Sequence, residues 1–582
     1  MGLRSTTVSL ITSALALCAI ALPSVTPRAL AQSQSQSPAA KPPYNIIFVV
    51  SDQEAEHLLV TSNDYELPAR AELQRRGITF RNHYTASAMC TPSRAAFFSG
   101  QPPQVNGVFD QMELAYEPSL NPDLPNMASV LKGLGYTTAY FGKFELNKDL
   151  LDVNPSVGYR SALAPYGVDF FNFDGDKYGT QDQGYHDDRY FGGEAVRWLR
   201  TNAHDLNGKG KPFFLVASFL NPHDIMYANA NLPGQPVIQK AMKDDLLTTP
   251  PKDTIYQKTW SFTPPPGLQE ALNSPGMPEA LAEYQKGWSG TFGYIPNDRP
   301  DMWSYFYNYY LNLIRDNDHG LQLLLNALDQ LDLWKNTIVV VTADHGEMAG
   351  SHGGLRGKGP FAYELNSHIP LWIVHPDYAG GRTSTMLTSH LDLLPTFVGM
   401  TGLPQAQREA AVKGLPGHDF TGLLGNAQSA DIHANRAGVL FNYVGLQTID
   451  GNYLIDANKD VFFGKPFPTL LEMHPNLDKR GFMSFAFDGR YKFARYYAPA
   501  AFNTPQTLDQ IFQYNDVQLF DLQEDPNELH NLALDREKNK DLILRMNGLL
   551  NELMAKEVGD HNNGNFLPIA VRPKQSVDFG KH

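Results

Sequence analysis

Short runs of apolar residues that end in polar side chains recur along the chain. Four of them occupy residues 45–50, 137–141, 212–219 and 337–342. Such runs are typical of strands that are buried on both faces of a parallel sheet. The segments between them, for example residues 127–134 and 305–331, have helical spacing. Alternation of strands and helices predicts an α/β fold, a mostly parallel central sheet flanked by helices.

The polar residues after these strands are candidates for a functional site. Ligands of such sheets bind beyond the carboxyl ends of the strands, where side chains from several strands meet. The four strand ends carry Asp52-Gln53, Gly142-Lys143, Pro222-His223 and Asp344-His345.

The remaining sequence predicts an insertion and a second unit. Residues 226–301 are rich in Pro, Gly and Asn without a clear period, and we interpret them as a long insertion near the site entrance, shaped by Trp260, Trp288 and Trp303. After residue 435 the alternation is shorter, with a turn and strand at 489–496 and a helix at 537–557. We therefore predict a main domain over 44–435 and a smaller C-terminal α+β subdomain with an antiparallel sheet over 436–582.

The N-terminus has the pattern of a secretory signal peptide. Arg4 precedes an apolar stretch, residues 8–22, and Ala29-Leu30-Ala31 offers a small-x-small cleavage site. An apolar run of about 15 residues is shorter than the roughly 20 needed to cross a bilayer, so no stable membrane anchor is expected. We predict a signal peptide over 1–31, a polar linker over 32–43, and export to the periplasm or the medium.

Composition and charge narrow the possible partners. Hydrophobic residues make up 42% of the 582 residues and charged residues 19%, as in packed globular proteins. The formal net charge of -14 argues against a nucleic-acid partner or an anionic lipid surface. A local basic pocket for a small anion is still compatible with this net charge.

The mature protein is expected to contain a single cysteine. Of the two cysteines, Cys18 lies in the predicted leader, so the mature protein carries Cys90 alone and forms no internal disulfide. The ordinary interpretation of a lone cysteine is a buried, inert thiol. Its neighbours in sequence, however, are Thr91-Pro92-Ser93-Arg94.

Cys-x-Pro-x-Arg resembles the modification sequence of the sulfatase family, which belongs to the alkaline-phosphatase-like superfamily. In that family a formylglycine-generating enzyme oxidises the cysteine to formylglycine (3-oxoalanine). The resemblance extends over about residues 44–402, because other family motifs follow in order, and residues 519–528 resemble the family's C-terminal signature. The matching motifs are Asp52-Gln53, Gly142-Lys143, Pro222-His223, Asp344-His345-Gly346 and Gly357-Lys358-Gly359.

The candidate metal ligands are Asp52, Gln53, Asp344 and His345. The first three offer hard oxygen donors, which suit calcium or magnesium, and an imidazole nitrogen would also admit manganese. The resemblance implies one divalent ion, Ca²⁺, with a hydroxyl of the oxidised Cys90 as a further ligand. Each carboxylate alone would more often be a helix cap or a turn residue.

The resemblance also implies catalytic roles and a small anionic sulfate ester as substrate. Oxidised and hydrated Cys90 would attack sulfur, and Asp344 would take its proton, forming a covalent sulfated enzyme. Arg94 would hold the modified side chain. Lys143 and Lys358 would contact sulfate oxygens and His223 would protonate the leaving oxygen, although lysines are usually surface groups and such a histidine can be structural.

Two positions depart from the family pattern. Glu145 stands where many sulfatases have a histidine, and Gln53 replaces the second of two aspartates. The combination resembles the choline-sulfatase and phosphonate-monoester-hydrolase branches. Three hypotheses follow: a hydrolase of sulfate monoesters that releases inorganic sulfate, a phosphonate monoester or phosphodiester hydrolase with the same site, and a secreted binding protein with a degenerate site. In the first, either Glu145 would serve as a base in the breakdown of the sulfated intermediate, or that breakdown would be slow.

Overall fold

The computed structural model describes residues 43–151, 162–172, 175–463, 474–573 and 577. The predicted signal peptide and nearly all of the predicted linker lie outside these residues. The described residues belong to one compact unit, Pro43–His582. No helix among them is both long enough and apolar enough to cross a membrane.

A seven-stranded sheet forms the centre of this unit, in the order β3-β4-β1-β5-β6-β2-β7. β6 is antiparallel to both of its neighbours, and the other pairings are parallel. The prediction of a mostly parallel sheet is thus confirmed. The strands are β1 Asn45–Asp52, β2 Ile78–Tyr84, β3 Thr137–Gly142, β4 Phe213–Pro222, β5 Thr337–Ala343, β6 Leu371–Val374 and β7 Arg382–Ser389.

Helices cover both faces of the sheet because its central strands are apolar on both. In β1, Ile47 and Val49 enter one core and Ile46, Phe48 and Val50 enter the other. Shorter helical turns join the longer helices. The longer helices are α1 Pro68–Arg76, α2 Cys90–Ser99, α3 Met127–Gly133, α4 Gln183–Gly208, α5 Glu279–Phe292, α6 Pro300–Gln330, α7 Leu393–Met400, α8 Gln405–Ala411, α9 Gly451–Phe462, α10 Leu508–Tyr514 and α11 Lys540–Glu557.

The strand register brings the four candidate segments to one edge of the sheet. Ser218 of β4 pairs with Gly142 at the end of β3 and with Val50 of β1. Ser51 of β1 pairs with Ala343 at the end of β5. The residues that follow these positions therefore converge.

The C-terminal part carries a second sheet, in the order β11-β10-β9-β8, with every pairing antiparallel. Its strands are β8 Val439–Tyr443, β9 Phe482–Phe487, β10 Tyr491–Tyr497 and β11 Asp516–Asp521. Helix α11 packs on it through Ile543, Met546 and Leu550. The predicted antiparallel sheet and helix are confirmed, and the boundary between 435 and 436 stays a prediction.

The segment 226–301 differs from its prediction as an irregular insertion. It contains the 14-residue helix α5, whose buried residues Leu281, Tyr284, Trp288 and Phe292 follow helical spacing. Gly287 and Gly290 interrupt that pattern in the sequence.

Of the three tryptophans expected at the entrance, Trp288 lines a cavity there. Trp260 and Trp303, the latter a residue of α6, instead pack together in one apolar core. Their assignment to the entrance was wrong, because both indoles complete the contact between the insertion and that helix.

Candidate active site

Cys90 is the first residue of α2, and its side chain is fully buried below the sheet edge. Its Sγ lies 3.2 Å from Nε2 of His345 and 3.7 Å from Oδ1 of Asp52. Burial, together with the charge of Asp52, raises the pKa of the thiol above its ordinary value. The unmodified thiol is therefore not ionised at neutral pH.

Arg94 lies one helical turn after Cys90, and its guanidinium joins the ends of four neighbouring strands. Nη1 donates hydrogen bonds to the carbonyl of Lys143 at 3.0 Å and to Oγ of Ser218 at 2.8 Å. Nη2 lies 3.1 Å from Oδ2 of Asp52 and 2.9 Å from Oδ2 of Asp344. A planar, permanently charged group with five donors can make such contacts together.

Asp52, Cys90, Asp344 and His345 form a buried cluster that could hold a metal ion, with one ligand atom from each within 4.8 Å of the others. Burial alone would raise the pKa of Asp52, but Lys143, His223 and Arg94 hold it well below its usual range. Burial lowers the pKa of His345 to about 4. The imidazole is thus neutral at pH 7 and has a lone pair for a cation.

Gln53 sits beside this cluster in a left-handed backbone conformation, with φ 74°. Its backbone N–H donates to Oδ1 of Asp344 at 3.0 Å. Its side-chain oxygen accepts a hydrogen bond from Lys358, and its amide nitrogen donates to Glu347. The amide therefore links the cluster to a buried lysine.

Lys143 and Glu145 form the wall of the site after β3. Nζ of Lys143 lies 2.7 Å from Oδ2 of Asp52 and 3.0 Å from Oε2 of Glu145. Glu145 also has a left-handed backbone, with φ 54°, and its N–H donates to Asp176. Burial raises the pKa of Glu145 to about 8, although Lys143 opposes the shift.

His223 follows β4 and is buried against the backbone of Gly179. Burial and the positive charge of Lys358 lower the pKa of His223 well below its usual value, against the opposite effect of Asp52. The resting imidazole is therefore neutral.

An open cavity of about 480 Å³ leads to this edge of the sheet. Its floor includes Met89, the residue before Cys90, and His223. Its walls come from the insertion, which includes α5, from α9 and the two residues Gln447 and Thr448 before it, and from residues within 111–114 and 178–181.

All ten predicted site residues lie at this edge. Sequence analysis missed Ser218, Glu347 and Asp176, and also Glu113, which lines the cavity. Glu347 follows Asp344-His345-Gly346, so its place after β5 was a usable signal. Ser218 lies within a buried strand, and nothing in the sequence distinguishes it from a packing residue.

The chain belongs to the sulfatase family, whose profile matches residues 44–403. Among curated proteins, arylsulfatase K of Homo sapiens is 26% identical over 389 residues, which cover 65% of this chain and 66% of that protein. The chain thus spans just under two thirds of this relative's length. An ulvan-active sulfatase of Formosa agariphila is 25% identical over 422 residues, 70% of this chain and 69% of that protein.

Solved structures share the fold. The phosphonate monoester hydrolase of Agrobacterium radiobacter superposes with a TM-score of 0.58 at 19% identity, covering 88% of this chain and 96% of that chain. A 2-O GAG sulfatase superposes with a TM-score of 0.57 at 17% identity, covering 89% and 93%. The predicted family and fold class are confirmed.

Proposed function

We propose that this chain hydrolyses small sulfate monoesters to an alcohol and inorganic sulfate, with Cys90 oxidised to formylglycine by a formylglycine-generating enzyme. The observation that carries the proposal is the position of Cys90. Its Sγ lies within 4 Å of both Asp52 and His345, and Arg94, in the same helix, joins the four strand ends around it. A merely structural thiol would have no need of this charged surrounding.

The residues fit one divalent cation. Oxygen ligands lie about 2.3–2.6 Å from Ca²⁺, so two ligands of one ion are at most about 5 Å apart. The cluster of Asp52, Asp344, His345 and Cys90 meets this limit, and Gln53 could join it by giving up Lys358. Two carboxylates favour Ca²⁺ over Mn²⁺, with Mg²⁺ the next choice. The ion would neutralise ester oxygens, and the hydrated aldehyde would supply the nucleophile.

The lysines and Arg94 would bind and orient the anion. Lys143 and Lys358 are both buried at the site. Burial would lower the pKa of Lys143, but Asp52 raises it well above its usual value, so the ammonium persists. Ammonium groups held in a low-dielectric site attract sulfate oxygens more strongly than groups in water. Arg94 would keep the side chain at position 90 in place.

His223 and Glu145 would move the protons. His223 lines the cavity, where the leaving oxygen would lie, and the negative charge of a bound ester would raise the pKa of its ring toward the range of a general acid. Asp344 would take the proton of the nucleophile. Glu145 beside Lys143 would act as a base in its ionised form, since a carboxylate whose conjugate acid has a pKa of about 8 is a stronger proton acceptor than an ordinary carboxylate.

Mass spectrometry of the peptide that contains Cys90 tests the proposal. In active enzyme, the sulfur should be replaced by oxygen and two hydrogens should be lost. Protein of the same sequence made without the maturation enzyme is the matched control and should release no sulfate from aryl sulfates. Active enzyme with an unmodified thiol would refute this chemistry.

Parallel assays with aryl sulfate and aryl phosphonate esters compare the two substrate classes. Faster turnover of sulfates is expected, and a strong preference for phosphonates would overturn the proposal. Sulfate release that Cys90→Ala abolishes would also dispose of a degenerate binding protein.

We also propose export, followed by cleavage after Ala31. The support is the N-terminal pattern of residues 4–31. N-terminal sequencing of the mature protein should begin at Gln32, and a mature chain that keeps residues 1–31 would contradict it.

A further inference from the structure

The cavity above Cys90 is rich in aromatic side chains. Tyr227, Trp288, Phe292 and Phe462 line it, together with Met226 and Leu454. We call these six residues the aromatic wall. Its members belong to the insertion and to α5 and α9, outside the strand ends that carry the charged groups.

The aromatic wall is continuous with His223. The His223 and Tyr227 ring centroids are 6.3 Å apart, those of Tyr227 and Phe292 are 5.9 Å apart, and those of Phe292 and Trp288 are 4.7 Å apart. The group that leaves past His223 would therefore meet ring faces and edges. Aromatic rings contribute large apolar contact areas and also attract cations to their faces.

Trp288 also offers an unused hydrogen-bond donor. Its side chain is 4% exposed, and its Nε1 has no hydrogen-bond partner within the described part of the chain. A buried donor without a partner is costly unless a ligand or water completes it.

The charge of the cavity is asymmetric. Glu113, an exposed side chain, is the one charged residue among the described residues that line it. The cationic groups, Lys143, Lys358 and Arg94, are buried around Cys90 instead. A ligand would thus meet the buried cations at its sulfate end and one carboxylate, that of Glu113, on the wall of the cavity.

We propose that the pocket selects sulfate monoesters of small aromatic alcohols that carry a positively charged amine, and that Glu113 with the aromatic wall recognises this leaving group. This inference rests on the proposed hydrolysis of sulfate esters. A leaving group with further sulfates or carboxylates would face Glu113, and no lysine or arginine lines the cavity in the described part of the chain, which is unfavourable for an anion in a partly desolvated cavity. Polyanionic glycan chains are therefore disfavoured.

Three aryl sulfates of similar shape test the proposal: 4-(2-aminoethyl)phenyl sulfate, 4-(2-hydroxyethyl)phenyl sulfate and 4-(2-carboxyethyl)phenyl sulfate. Two methylene groups separate the charge from the ring, so the leaving phenols have similar acidity. We expect kcat/KM to fall from the cation to the neutral ester to the anion, by about tenfold overall, which corresponds to about 1.4 kcal/mol. The preference should weaken with added salt.

The variant Glu113→Gln should reduce the difference in kcat/KM between the cationic and the anionic ester to about threefold or less, because the residual attraction between the amine and aromatic faces is small. Glu537→Gln is the matched control, since Glu537 is exposed and does not line the cavity. It should keep the wild-type order.

Binding of the same three esters to Cys90→Ala, measured by calorimetry, separates this inference from the proposed function. Equal affinities, or tighter binding of the anion, would overturn the inference even if all three esters release sulfate. The inference is supported if the cationic ester binds most tightly to Cys90→Ala and the anionic ester least, and if this order is lost when Glu113→Gln is added. This support would hold even if no ester released sulfate, and that lack of release would instead refute the proposed hydrolase.

Discussion

A side chain at position 179 would displace His223 while the histidine itself stays unchanged. The φ of Gly179 is +100°, and a Cβ at this position would lie 2.5 Å from Cε1 and 2.7 Å from Nδ1 of the histidine ring. Non-bonded carbon atoms prefer separations of about 3.5–4.0 Å, so the ring of Gly179→Ala must move by about 1 Å. The imidazole would then no longer face the position proposed for the leaving oxygen.

The expected loss follows from that displacement. A shift of about 1 Å in a catalytic group can cost on the order of 100-fold in rate. An alanine in a sparsely populated backbone region also costs about 1–3 kcal/mol in the free energy of unfolding. We therefore predict a kcat for an aryl sulfate about 100-fold below wild type, with the protein still folded.

Gly135→Ala is the control for backbone strain. Gly135 has φ +97°, and a Cβ there would meet no atom within 4 Å. It should lose a similar unfolding free energy and keep its kcat. In the His223→Ala background, Gly179→Ala should cause no further loss of kcat. A similar loss in that background, or none in the single variant, would refute the steric argument.

The other predictions concern pH, stability and metal. Since burial raises the pKa of Glu145 to about 8, kcat should rise with pH through about 8, and Glu145→Gln should abolish the rise. The folded state holds this proton more tightly than the unfolded state does. The free energy of unfolding of the wild type should therefore fall between about pH 4.5 and 8, and that of Glu145→Gln should not. Lys492→Met should cost about 3–5 kcal/mol in chemical denaturation, because the buried Glu528 loses its lysine and the half-buried Glu364 loses one of its partners. The exposed control Lys209→Met should cost less than about 0.5 kcal/mol. Similar losses in both variants would contradict the reasoning. Chelation of divalent ions should lower the Tm of the wild type, since a free ion at 100 times its Kd stabilises the folded protein by about 2.7 kcal/mol. The Tm of Asp52→Asn and of Asp344→Asn should not change on chelation. An equal fall in Tm in these variants would place the ion elsewhere.

The sheet and the positions of the site residues could be predicted because they depend on local pattern and one topological rule. A buried parallel strand needs a continuous apolar run, and β1, β3, β4 and β5 each have one. Their neighbours in the sheet are not adjacent in sequence, yet ligands of parallel sheets bind at the carboxyl ends. Residues after those ends could therefore be assigned to one site.

Tertiary contacts decided the features that the sequence did not reveal. Helix α5 is buried on a broad face, so its polar and glycine positions obscure the helical period. The four partners of Arg94 come from four strands, and no local pattern encodes such a set. Glu113 became relevant only when the fold placed it on the wall of the cavity.

The two departures from the family pattern have related electrostatic consequences. Gln53 removes one negative charge from the cluster, and Glu145, with a pKa near 8, is protonated at neutral pH. Of the candidate metal ligands only Asp52 and Asp344 are carboxylates, and Arg94, Lys143 and Lys358 lie around them, which favours an anionic ester but weakens affinity for a cation. Above about pH 8, ionised Glu145 would reduce the positive charge while it gains strength as a base. KM should then rise together with kcat, so kcat/KM should vary less with pH than kcat itself.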